Sequence, residues 1–343
     1  MAFTAHNGDC MEILPRLAAG SISCCVTSPP YFGLRDYGHG GQIGLERTPD
    51  EYVAKMVEVF REVRRVLRDD GTLWLNLGDC YASSGGVRQP HRDSSGGIGN
   101  KGTRGEQGYH AAGGGFVRPD TARDGLKPKD LLGIPWRVAF ALQADGWYLR
   151  QDIIWSKPNP MPESVRDRCT KAHEYIFLFS KSERYHFDAD AIKERSVTND
   201  PRRPYGSPGA NKLDPRGAQG RGENRKRDEF NGKTNALPGR EAFRAFTEFR
   251  NRRSVWTVTT KPFKGAHFAT FPPDLIEPCI LAGCPEGGTV LDPFLGSGTT
   301  AVVALRNGRN AIGCELNPDY VEMAKLRVAQ LAARTPLFTE PTP

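Results

Sequence analysis

With 343 residues, 38% of them apolar, the chain has material for one large α/β domain and an added module, and no apolar run of about 18 residues that would span a bilayer. Its eight cysteines, at 10, 24, 25, 80, 169, 279, 284 and 314, form no Cys-x-x-Cys pair, which argues against a zinc site or disulfide framework; with no basic-then-apolar leader over Met1–Asp9, a cytoplasmic protein is expected. Net charge is +7, but 18 Lys/Arg against 8 Asp/Glu fall between Lys193 and Lys264, so the rest is slightly acidic and a polyanion is the expected partner of that stretch.

Ile22 to Val26 is an apolar run that reads as a buried strand entering the stiff turn Thr27-Ser28-Pro29-Pro30-Tyr31. Thr48-Pro49-Asp50-Glu51 predicts a helix start with a capping box, and Val53, Met56, Val57, Phe60, Val63 and Leu67 continue one apolar face until Asp69-Asp70-Gly71. Thr72 to Leu77 predicts the next strand. Ser83 to Gly125 is Gly-rich, too polar to order itself, and reads as a mobile loop. A helix from Ile134 to Gln143 and strands at Tyr148–Trp155 and Glu174–Phe179 follow. Val197 to Pro238 is Pro-, Gly- and Arg-rich. Phe243, Phe246, Phe249 and Trp256 then interleave with Arg244, Arg250, Arg252 and Arg253, a spacing that suits a small amphipathic helix showing arginines to that polyanion. The α/β pattern resumes with a helix at Pro272–Leu281, a strand at Thr289–Leu291, a helix at Thr299–Asn307, a strand at Asn310–Cys314 and a helix at Pro318–Arg334.

Val290 to Thr300 reads as strand, small-residue loop and helix. Gly296 and Gly298 let the backbone pass close to a ligand, and the helix N-terminus offers amides to an anion. Glu315, at the end of the next strand, is placed to accept from ribose hydroxyls. Ala301 stands where a dinucleotide fingerprint has its third glycine, which argues against NAD. Asp292, Thr299 and Thr300 suit a ligand with both ammonium and carboxylate. Too little chain follows Thr289 to build a whole sheet, so the other strands come from the N-terminal part and the cofactor half is last in sequence.

Ser28-Pro29-Pro30-Tyr31 sits at the carboxyl end of a strand, where open α/β sheets bind ligands. The prolines remove donors, so local carbonyls are expected to face outward as unopposed acceptors. An exocyclic amine of cytosine or adenine is a poor nucleophile. Acceptors at the Ser28 hydroxyl and the Pro29 carbonyl would hold its N–H bonds, and Tyr31 would stack on a flipped base.

Together these motifs resemble the amino-methyltransferases of DNA, the permuted β group whose catalytic motif precedes the motif for S-adenosylmethionine (AdoMet). The resemblance implies a Rossmann-like AdoMet-dependent α/β fold, circularly permuted, with a mostly parallel sheet, helices on both faces and a basic target-recognition insert. It implies catalytic roles for Ser28, Pro29, Pro30 and Tyr31. The cofactor set it implies is Asp9 and Cys10 of the adenine-contacting segment, Thr27, Phe268 and Thr270 near the methionine end, Asp292, Phe294, Gly296, Ser297, Gly298 and Thr299 of the loop, and Glu315 with Asn317. Residues 1–192 would form the catalytic half, 193–264 the recognition insert and 265–343 the AdoMet half. Lys157, Arg244, Arg250, Arg252 and Arg253 are candidate contacts to double-stranded DNA. Arg35 either touches the flipped nucleotide's phosphate or pairs with Asp36. A serine heading the tetrad favours cytosine N4 over adenine N6 and disfavours RNA or protein amides; a non-catalytic AdoMet-responsive DNA-binding protein is the rival from another class. The resemblance leaves room for a cognate restriction endonuclease as partner. His173 reads either as a general base or as a strand-edge histidine, and the Pro-Cys dipeptide at Cys279 as buried structure.

Overall fold

The computed structural model describes residues 1–34, 41–82, 125–195, 249–260 and 271–334. The Gly-rich segment up to residue 124, Arg35, Arg244, Phe268 and Thr270 lie outside the described residues. In chain order the elements are β1 (Phe3–Asn7), α1 (Cys10–Ile13), β2 (Ile22–Thr27), α2 (Pro49–Val66), β3 (Leu67–Leu77), α3 (Ile134–Ala144), β4 (Tyr148–Ser156), β5 (His173–Ser180), β6 (Glu194–Arg195), β7 (Phe249–Arg250), β8 (Val255–Thr257), α4 (Pro273–Gly283), β9 (Thr289–Asp292), α5 (Thr299–Arg306), β10 (Asn310–Glu315) and α6 (Pro318–Arg334).

Eight strands form one sheet in the order β1-β10-β9-β2-β3-β5-β4-β8. The run from β1 to β3 is parallel throughout; β5 is antiparallel to both β3 and β4, and β8 runs parallel to β4. The last strands in sequence, β9 and β10, therefore lie between β1 and β2. That is the permuted order in which the glycine loop meets the proline turn.

Both faces of the sheet are covered, as its apolar strands require. Cys25, Leu73, Leu75, Leu291 and Cys314 share a core cluster with Met56, Phe60 and Val63 of α2 and Val138 and Leu142 of α3. Their strand neighbours point the other way: a Cβ on Gly283 of α4 would meet Trp74, Thr72 and Cys24 within 3.0 Å. Helix α2 begins with the expected capping box, the Thr48 hydroxyl and Glu51 carboxylate each accepting from the other's backbone amide.

Two local expectations are corrected. Leu67 is not on the helix face but opens β3, and the chain bulges at Arg68–Gly71 so that Ile22 pairs with Leu67 and Cys24 with Thr72. Of the amphipathic helix expected from Phe243 to Trp256, Phe243, Arg244 and Phe246 lie outside the described residues, and the described part is strand: Phe249–Arg250 is β7 and Val255–Thr257 is β8, where Trp256 is buried between exposed neighbours. The β-branched run Val-Trp-Thr-Val-Thr-Thr prefers the pleated edge, and period two overrides the aromatic spacing. Two compact units result, Met1–Ala191 with Arg253–Pro343, and Ile192–Arg252. The chain thus rejoins the sheet at Val255, ahead of Lys264. Within the second unit β6 and β7 pair antiparallel, and Arg250 Nε donates to Glu194 Oε1 at 2.8 Å.

Candidate active site

Because β1, β10, β9, β2 and β3 are parallel, their carboxyl ends share one edge, where ligands of open α/β sheets bind. Asp9 follows β1, Glu315 ends β10, Asp292 ends β9, Thr27 ends β2 and Gly78 follows β3.

The glycine loop is built for close approach. Gly296 and Gly298 have φ of 52° and 78°, and a Cβ on Gly298 would lie 2.6 Å from the Ala324 Cβ of α6. Gly298 is also the N-cap of α5 and brings no side chain to that helix start, where the macrodipole is positive. Glu315 is tied to the loop: its Oε2 accepts from the Gly296 amide at 2.8 Å and its Oε1 from the Asn317 amide at 2.9 Å. Asn317 turns its own Oδ1 to the Asp319 amide at 2.9 Å. Arg327 of α6 reaches the loop from behind, with Nη1 donating to the Ser297 carbonyl at 2.6 Å, the Ser297 hydroxyl at 2.8 Å and the Thr299 hydroxyl at 3.1 Å. At the end of β1, Asp9 Oδ1 accepts from the Met11 amide at 2.8 Å. Cys10 is buried, and burial, then the Asp9 charge, pushes its thiol pKa up, so it stays a neutral wall residue. Acidic acceptors at Asp9 and Glu315, glycines that admit a ligand and an open helix N-terminus fit a nucleoside that carries an amino acid.

Asp292 joins the two motifs. It is 2% exposed, and its Oδ1 accepts from the Thr27 hydroxyl at 2.6 Å and the Phe294 amide at 3.0 Å. Its Oδ2 accepts from the Thr300 hydroxyl at 2.6 Å. Burial raises the carboxyl to about 6 against the lowering effect of these three bonds. The carboxylate that the sequence suggested for a ligand's ammonium thus accepts three hydrogen bonds within the protein.

Ser28 follows Thr27 directly and is half-buried, and Pro29 is buried. The expectation of unopposed carbonyls needs correction at Pro30, whose oxygen accepts from the Tyr52 hydroxyl at 2.9 Å. Pro29 has no protein donor at its carbonyl among the described residues. The Tyr31 hydroxyl donates to Glu174 Oε2 at 2.8 Å, with Asn76 Oδ1 a second acceptor at 3.2 Å, and it accepts from the Ser28 hydroxyl at 3.4 Å. Burial, then the Glu174 charge, holds its pKa well above the usual phenol value. Gly78 seats the ring, since a Cβ there would lie 2.5 Å from Tyr31 Cε2.

Lys157, a candidate contact to DNA, pairs with Glu174 and lies over the Trp155 ring at 4.2 Å; the lysine and glutamate side chains are 17% and 16% exposed. Its partner stands across the β4–β5 hairpin, out of reach of local sequence reading. His173 packs edge-on against Tyr175 at 5.4 Å. Cys279 is buried in α4. Four residues of the site were not singled out from sequence: Asn76, Tyr52, Gly78 and Arg327. The one available signal was Asn76, a lone polar residue in the apolar run Leu73-Trp74-Leu75-Asn76-Leu77.

A family model described as DNA methylase matches residues 22–326. The chain belongs to the DNA methylase family. Among its relatives, the Type II methyltransferase M.Cfr9I of Citrobacter freundii is 46% identical over 95% of this chain and 87% of its own. M.SmaI of Serratia marcescens is 46% identical over 94% and 89%. Among solved structures, the cytosine-N4-specific PvuII DNA methyltransferase aligns with a TM-score of 0.57 at 18% identity, over 97% of this chain and 92% of that one. A putative DNA modification methylase from Thermus thermophilus, complexed with S-adenosyl-L-methionine, aligns at 0.55 and 23%, over 98% and 96%. The methylase fold is therefore the permuted, mostly parallel α/β architecture described above. Among the described residues no helix is long and apolar enough to cross a membrane.

Proposed function

We propose that this methylase transfers a methyl group from AdoMet to the exocyclic N4 amine of a cytosine flipped out of duplex DNA. The observation that carries the reading is the Thr27–Asp292 hydrogen bond, which fixes the proline turn against the strand that launches the glycine loop. Asp9, Glu315, Gly296 and the start of α5 hold the cofactor, which supplies an electrophilic methyl on a sulfonium. The Ser28 hydroxyl and the Pro29 carbonyl accept from the two N–H bonds of the target amine and draw its lone pair out of the ring. Tyr31, held by its hydroxyl and by Gly78, offers a ring face to the base. No strong base is needed, because the amine proton becomes acidic once the methyl has arrived.

Serine at the head of the tetrad supports cytosine over adenine. The basic segment 193–264 supports a recognition region that contacts phosphates and reads sequence. The Type II naming of its relatives supports a restriction endonuclease of the same specificity as partner. The deciding experiment incubates the protein with duplex DNA and labelled AdoMet, digests the DNA to nucleosides and weighs the labelled one. N4-methyldeoxycytidine is expected. N6-methyldeoxyadenosine would overturn the base assignment, and AdoMet binding without label in DNA would overturn the enzyme assignment.

A further inference from the structure

We propose that Glu174 is a positioning residue that fixes the direction of hydrogen bonding in the catalytic turn, acting through Tyr31 so that Ser28 meets the target amine as an acceptor. The inference rests on the methyltransferase reading above and adds to it the group that decides which way the Ser28 hydroxyl faces.

A carboxylate accepts hydrogen bonds and donates none. Glu174 is paired with the Lys157 ammonium as a carboxylate, so the Tyr31 hydroxyl must give its single hydrogen to Glu174 Oε2, the nearer acceptor at 2.8 Å. Asn76 supports this order. Its Nδ2 donates to Glu174 Oε2 at 3.3 Å and to the Tyr175 carbonyl at 3.0 Å, which leaves its oxygen, not its amide hydrogens, toward Tyr31 at 3.2 Å. With its hydrogen committed, the Tyr31 oxygen can only accept from Ser28, 3.4 Å away. The Ser28 hydrogen then points to Tyr31 and its lone pairs face the cleft. The opposite order would aim the Ser28 O–H at the amine nitrogen and engage the lone pair that has to attack the methyl.

The partial burial of the pair argues for a directional role. Withdrawing an ammonium and a carboxylate from most of their water is costly, and apolar residues would pack Tyr31 without that cost. The 3.4 Å separation is long for hydroxyls, as catalytic contacts often are before substrate tightens them.

The test is a double-mutant cycle of Glu174→Gln and Tyr31→Phe, read as the single-turnover rate of labelled methyl transfer to duplex DNA. A glutamine can donate as well as accept, so the order is no longer enforced. Glu174→Gln is expected to slow the chemical step about 10- to 100-fold while the KM for DNA and the AdoMet dissociation constant stay within about 2-fold. In the Tyr31→Phe background the same change should cost less than about 3-fold, because the link is already cut. Equal losses in both backgrounds would overturn the proposal. Since Glu174→Gln strands the Lys157 charge, the paired variant Lys157→Met with Glu174→Gln is measured too. It should recover the thermal midpoint but not the rate, and recovery of the full rate would also overturn the proposal. Loss of transfer in the wild-type protein would bring down the methyltransferase reading itself; an additive cycle beside an active wild type sinks only the role of Glu174.

Discussion

The Thr27 hydroxyl and the Asp292 carboxylate, 265 positions apart, are 2.6 Å apart in space. One is the last residue of β2 before the catalytic turn, the other the last residue of β9 before the glycine loop. Thr27→Val keeps the shape and removes the donor, leaving one buried carboxylate oxygen with the Phe294 amide alone. A buried bond to a charged group is worth roughly 1.5–3 kcal/mol, and a loss of that size is expected in denaturant unfolding. AdoMet affinity and transfer rate should fall together, whereas Thr27→Ser should keep both. A Thr27→Val protein that loses only one of the two would show that the bond does not join the two half-sites.

Asp292 also gives stability a particular pH dependence. Its carboxyl is raised from 3.8 to about 6, chiefly by burial. A raised folded-state value means that the group favours folding below its unfolded pKa and that this contribution is lost as pH rises through about 6. A displacement of this size corresponds to roughly 3 kcal/mol. Compared with Asp292→Asn, which has no proton to take up, the native protein should therefore gain relative stability as pH is lowered from 7 to 5. A difference between the two proteins that stays flat over that interval would contradict the protonation.

What the sequence showed and what it hid divide along one physical line. The capping box at Thr48, the strand–loop–helix at Val290 to Thr300 and the acid at Glu315 are local patterns, and they sit where the periodicity places them. The first strand, Phe3–Asn7, was not read as one, because its sheet partner among the described residues is β10, some three hundred residues on. Pro30 looked unopposed because its donor, Tyr52, lies on α2. The pairing of Lys157 with Glu174 was hidden because the two meet only when the hairpin closes. Sequence period reveals which face a residue takes, but a partner for a polar group is set by topology.

Gly78 makes the seat of Tyr31 testable without touching a polar group. The position needs no left-handed backbone; what it needs is room, since an alanine Cβ would stand 2.5 Å from the ring edge. Gly78→Ala should displace the ring and weaken its bond to Glu174. The expected outcome is a drop in transfer rate of about 10-fold or more with AdoMet affinity nearly unchanged, read from single-turnover kinetics beside a cofactor titration. An equal loss of cofactor affinity would mean that the Tyr31 pocket and the AdoMet site are not separable.

Arg327 supplies the complementary case, a residue bonded to the glycine loop. Its three bonds to Ser297 and Thr299 clamp the glycine loop from α6. Burial lowers its pKa, yet a guanidinium remains charged, so these are charge-assisted bonds. Arg327→Met keeps the bulk and removes the donors. At roughly 1.5–3 kcal/mol for a bond to a charged group, AdoMet should bind about 10- to 100-fold more weakly. Ser297→Ala leaves the carbonyl bond in place and should cost less, and the two changes together should be less than additive because they share one contact. At saturating AdoMet the transfer rate of Arg327→Met should return close to that of the native protein, since Ser28, Pro29 and Tyr31, proposed to hold the base, lie on the neighbouring strand end. A rate that stays depressed at saturation would show instead that the clamp also sets the direction from which the methyl meets the amine.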